Sequence, residues 1–132
     1  MEILRWKTRI AVLWVLMAVA MSAHGIMGLL EPGMIEEAMS GELEGLALTP
    51  GVLVFMTLFW LVPLWLAFFS MTVKGSSNRW VNFILGIIFV ILNLWHFSEH
   101  LASPAQILII GSTVVATALI AWYAWTWPKQ EA

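Results

Sequence analysis

The stretch LNLWHFSEH, residues 92–100, places Asn93, His96, Glu99 and His100 within little more than two helical turns. Two histidines four residues apart lie on one face of a helix, a spacing at which both imidazoles can reach one metal ion. A third imidazole and a carboxylate would complete a four-ligand set. The chain has no cysteine, so thiolate sites and disulfides are excluded. Imidazole and carboxylate without sulfur suit zinc, copper, iron or manganese. The order also matches the H-x-x-E-H pattern of some zinc peptidases, but no third ligand follows on another helix, and no peptidase activity is inferred.

The elements that must position these groups are apolar. Of 132 residues, 61% are hydrophobic and 11% charged, with mean hydropathy +0.91. That is too little charge for a soluble domain of this size. Four runs, residues 10–30, 51–71, 80–101 and 105–127, reach the ~20 residues a helix needs to cross the hydrocarbon core. The expected fold is all-α: a polytopic membrane protein, one domain over residues 1–132, built as an up-down bundle of four transmembrane helices. Arg5, Lys7 and Arg9 before an apolar run resemble a signal peptide. The run continues to Leu30, however, and reads as the first span.

Short loops rich in Lys and Arg stay on the cytoplasmic side. Arg5, Lys7 and Arg9 precede the first span, Lys74 and Arg79 separate the second from the third, and Lys129 follows the fourth. The 31–50 loop holds five glutamates and no basic residue. Both termini are therefore expected inside a prokaryotic cytoplasmic membrane, with the acidic loop outside. Pro32 and Gly33 can open a short helix there, with Glu36 and Glu37 in its first turn, and Met34, Ile35, Ala38 and Met39 suit an interfacial face. Ser40-Gly41 should end it, and Thr49-Pro50-Gly51 should start the second span. Pro63 should kink that span. Thr113, Thr117, Ala121 and Ala124 form a narrow stripe that admits a close neighbour. Trp122, Tyr123, Trp125 and Trp127 read as an aromatic belt.

At about 100° per residue, Asn82, Asn93, His96 and His100 fall within about 60° of one another, with Glu99 at the flank. A polar stripe on a membrane helix faces the bundle interior. His24 lies six residues before Leu30, or ~9 Å below the end of its span. His96 lies at a similar depth. Taken singly, His24 and Asn93 read as helix–helix glue, and Glu99 and His100, within two residues of the helix end, as solvated groups. Their shared depth points to a metal site of His24, His96, Glu99 and His100, with Asn93 as a further cofactor contact. Haem clasped by His24 and His96 is the second choice, because no Arg or Lys stands near that end to meet propionates.

The acidic EPGMIEEAMSGELEGLALTPG loop, NRWVN entering the third span and WYAWTWP closing the fourth give the chain a resemblance. It resembles a family of small four-helix prokaryotic membrane proteins of unknown function. The resemblance implies four helices and a membrane location, and no activity. Four functional classes remain open: a metal-binding protein, an accessory subunit of a larger membrane complex, a small proton-coupled transporter working as a homo-oligomer, and an intramembrane metalloenzyme. The lipid bilayer is the expected partner. Nucleic acid is excluded by the lack of a basic run.

Overall fold

The computed structural model describes residues 2–128; Lys129 lies outside the described residues. The first helix, α1, spans Glu2–Leu29, starting earlier than the apolar run does. Nothing between Glu2 and Ile10 breaks a helix, and Trp6 anchors the first turns edge-on against Tyr123, ring centroids 5.5 Å apart. Lys7 is consequently buried rather than flanking the span. At ~1.5 Å per residue α1 is ~42 Å long, more than a bilayer core requires.

Gly33, at φ 84°, turns the chain into the short α2, Met34–Met39, which Ser40 ends. A feature not expected in an all-α chain follows: a small antiparallel hairpin, β1 (Glu42–Leu43) and β2 (Leu46–Ala47), with Glu42 opposite Ala47 and Leu43 opposite Leu46. Its two-residue turn is Glu44-Gly45, both at positive φ (52° and 77°), the backbone pattern of tight hairpin turns. Thr49 then caps α3, Pro50–Thr72, accepting a hydrogen bond from the Val52 amide, with Pro50 in the first turn. Pro63 is buried within α3. Next come α4, Gly75–Ser98, and α5, Pro104–Trp125, the latter capped by the Ser103 side chain.

These four long helices are each long and apolar enough to cross a membrane. They form a four-helix bundle in which α1 packs between α3 and α5, and α5 also packs along α4. Although joined by a two-residue link, α3 and α4 touch only slightly. The close pairing of α4 with α5 follows from the small-residue stripe: Thr113, Thr117, Ala121 and Ala124 are all buried. A Cβ at Gly86 would stand 3.1 Å from the Ala121 backbone nitrogen. The outer surface carries Trp65, Phe68, Ile91, Leu108 and Val115 in the open, which suits lipid rather than water. The expected aromatic belt is only partial. Trp122 and Trp125 are exposed, but Trp127 is buried, and Tyr123 packs inward on Trp6.

The interior holds a buried amide network at the end where α3 passes into α4. Asn82 accepts from Trp14 Nε1 (2.7 Å) and Ser70 Oγ (3.1 Å). Its own amide donates to Asn78, whose amide donates to the carbonyls of Ser70 and Val73. Above it, Trp14, Phe89 and Phe59 form an aromatic layer, with centroids 5.4 and 5.3 Å apart along the chain of contacts. At the same end Arg79 donates to the carbonyls of Ala124 and Trp125, closing the last turn of α5.

Candidate metal centre

At the opposite end of the bundle the three histidines meet. His24 sits in the last turns of α1; His96 sits in the last turn of α4. His100 lies just past α4, yet stays on the same face because the chain tightens there: the amides of Glu99 and His100 bond the carbonyls of His96 and Phe97. The ring centroids form a triangle of 4.5 Å (His24–His96), 4.6 Å (His96–His100) and 5.1 Å (His24–His100), with the rings nearly perpendicular in each pair. The side chains are 12–17% exposed.

The carboxylate in this group is Glu44, from the hairpin turn. Its Oε1 lies 2.8 Å from His100 Nε2 and 3.3 Å from His24 Nε2, and its Oε2 lies 3.8 Å from His96 Nε2. One ligand atom from each of His24, Glu44, His96 and His100 can be chosen so that all lie within 4.8 Å of one another. Glu99, the sequence candidate, is exposed at the C-cap of α4 and is not in this group. Asn93 also lies outside it, buried deeper and donating to Thr113 O and Thr117 Oγ1. Helical periodicity could register Glu99 beside the histidines, but not a side chain that returns on a hairpin 56 residues before His100. The local signal is limited to Gly41 and Gly45, glycines that punctuate the loop without specifying a hairpin.

Two imidazoles have their tautomer set by the groups behind them. The Gln106 amide donates from Nε2 to the carbonyl of His24 (3.2 Å), which can only accept. Gln106 Oε1 therefore faces His24 Nδ1 at 2.7 Å, and that nitrogen must carry a proton. His100 Nδ1, 3.0 Å from the His96 carbonyl, must likewise donate. In both rings Nε2 is left to face the centre. This is how metal-ligating histidines are usually held, with the outer N–H tied to an acceptor. Gln106, in the first turn of α5, is set apart only by its contacts with His24.

The Glu44 carboxyl is held well below the usual carboxylate range, first by its contact with His24 and then by His96 and His100, against burial that pulls the other way. A carboxylate faced by three imidazole nitrogens can be satisfied by protons on those nitrogens or by a cation at their centre. For the second case the spacing can be checked. Ligand atoms about 2.0–2.2 Å from a tetrahedral ion are about 3.3–3.6 Å apart. Glu44 Oε1 lies 2.8 and 3.3 Å from the His100 and His24 nitrogens, at or a little inside that spacing, and Oε2 lies 3.8 Å from the His96 nitrogen, a little outside it.

Fold and site together define a four-helix bundle, with helices suited to crossing a membrane, that gathers three histidines and a hairpin glutamate at one end. The chain belongs to a family of unknown function (DUF6326), matched over residues 1–132. No curated protein and no solved structure matches it.

Proposed function

We propose that the protein binds one divalent transition-metal ion through Nε2 of His24, His96 and His100 and the carboxylate of Glu44. The observation that carries this reading is the convergence of four ligand atoms within 4.8 Å, from two helices and a hairpin. The polarised outer nitrogens of His24 and His100 support it. A three-imidazole, one-carboxylate set favours zinc, with copper, iron and manganese as alternatives. Haem fits poorly: His24 and His96 meet edge to face at 4.5 Å, with no slot for a macrocycle between them.

A closed site suits the interior better than a transport path. The Trp14–Phe89–Phe59 layer stands between the histidines and the Asn78–Asn82 network. Arg9 packs over Trp6 and Tyr123, and Arg79 over Trp80 and Trp125, at the end away from the histidines. That distribution supports a cytoplasmic membrane topology with the metal centre under the outer surface.

Elemental analysis of the protein purified in mild detergent, followed by zinc titration, tests the reading. One equivalent of metal is expected. His100→Ala and Glu44→Ala should each weaken zinc binding by more than the about 10–100-fold that losing a partner behind a ligand costs. Wild-type protein that takes up none of the four metals at micromolar concentration would remove it.

A further inference from the structure

Three buried side-chain polar atoms have no hydrogen-bond partner among the described residues: Trp6 Nε1, Asn93 Oδ1 and His96 Nδ1. The last two lie one turn apart on the same face of α4, a spacing that puts their Cβ atoms about 5–6 Å apart. Their chemistry is complementary. The Asn93 amide is oriented by its neighbours: Nδ2 lies 3.4 Å from the Thr113 carbonyl, which can only accept, so Oδ1 is the free acceptor. The Thr117 hydroxyl already donates to Thr113, leaving its oxygen to receive the same Nδ2. His96 presents Nε2 to the centre, and 3.8 Å from Glu44 is too long for that nitrogen to be fixed by a hydrogen bond. Its outer nitrogen is then the natural donor, as it is in His24 and His100.

We infer that Asn93 is the positioning residue of His96: the His96 Nδ1–H donates to one trapped water, which in turn donates to Asn93 Oδ1. Buried polar atoms without a protein partner are commonly bridged by one ordered water. Each imidazole then has an acceptor behind it: a glutamine amide for His24, a backbone carbonyl for His100, and the Asn93 amide for His96. The inference rests on the metal reading for its consequence, but the proton position it assigns can be measured without metal.

The test uses the whole protein in nanodiscs with 15N-labelled histidine, metal-free, at a pH where the imidazoles are neutral. His96 is expected to carry its proton on Nδ1. Asn93→Leu, similar in size but without an acceptor, should move that proton towards Nε2; Asn93→Asp, which keeps an oxygen in place, should leave it on Nδ1. Cobalt(II) titration of the same samples should show about 10–100-fold weaker binding and altered ligand-field bands for Asn93→Leu only. A wild-type His96 protonated on Nε2, or a Leu variant with an unmoved proton, overturns the inference. If the Leu variant does not fold, the wild-type and Asp spectra decide. Wild-type protein with the expected proton position that takes up neither cobalt nor any of the four metals would remove the metal reading and leave the Asn93–His96 link standing.

Discussion

The amide network around Asn82 and the histidine cluster are both buried polar groups in one apolar bundle, and they are built on different principles. Around Asn82 each donor faces an acceptor: Trp14, Ser70, Asn78 and Asn82 bond one another and nearby carbonyls, all as neutral groups. Such a set needs nothing from outside and fixes how α1, α3 and α4 register. The histidine cluster points its nitrogens and a carboxylate at one spot, and its hydrogen bonds to the rest of the protein run outward, to Gln106 and the His96 carbonyl. It is complete only with added charge, from protons or a cation. The first arrangement is closed on itself; the second is the one on which the proposed metal binding rests.

If that division is right, damage to one end should leave the other largely untouched. The largest stability loss is expected from Trp14→Ala, which empties the centre of the core beside Phe89 and strands Asn82. Loss of a buried Trp costs about 3–5 kcal/mol, measurable by unfolding in mixed micelles. Asn82→Ala should cost about 1–3 kcal/mol by leaving Trp14 Nε1 without its acceptor and Asn78 Oδ1 without its donor, while Ser70 Oγ keeps the Leu66 carbonyl, towards the lower end because groups unfolded within a membrane find other partners. Zinc affinity of the folded fraction should stay within about twofold for both variants by additivity of distant sites. A large fall in affinity with Asn82→Ala would mean that the two ends are coupled and break the comparison.

The amide network and the histidine cluster also differ in how readable they are. Hydropathy located four spans because lipid exposure imposes long apolar runs, and a wheel on the third span put Asn82, Asn93, His96 and His100 on the interior face. The depth match of His24 to His96 followed from rise per residue, and the two rings do meet. Periodicity has no access to contacts made by irregular chain. Glu44 reaches the site because a tight turn at positive φ folds the hairpin back, and Glu99 was the nearer carboxylate only in sequence. Nor does it give helix order: a two-residue link suggests that α3 and α4 pack side by side, whereas small residues draw α4 to α5 instead. Lys7 looked like a flanking charge, and an uninterrupted helix carried it inside.

Gln106→Leu sharpens the comparison from the other side. It removes the acceptor behind His24 Nδ1 and the donor to the His24 carbonyl, so zinc affinity should fall about 10–100-fold. The amide network, lying beyond the aromatic layer, should be unaffected, and hydrogen exchange of the Trp14 indole proton should match wild type. Equal loss of protection at both ends would show that Gln106 acts on the whole bundle.

The smallest expected effect, and the one that separates protons from metal as the charge at the cluster, is a two-stage response to acid. Metal competes with protons for imidazole nitrogen, so zinc should leave as these nitrogens become protonated. The hairpin should remain closed through that stage, because a protonated imidazole still attracts the Glu44 carboxylate. Glu44 carries a carboxyl lowered from its ordinary value of 4.5. A lowered folded value means that its contribution is fully present above 4.5 and is lost only as pH falls through the lower value it holds in the folded protein. Zinc release should therefore precede hairpin opening along the pH axis, read as zinc-probe signal against amide exchange at Gly45 and Leu46. In Glu44→Gln the second stage should vanish, leaving a hairpin that exchanges faster at neutral pH and is insensitive to acid. Simultaneous release and opening in the wild type would mean that the ion, and not the imidazoles, holds the hairpin down.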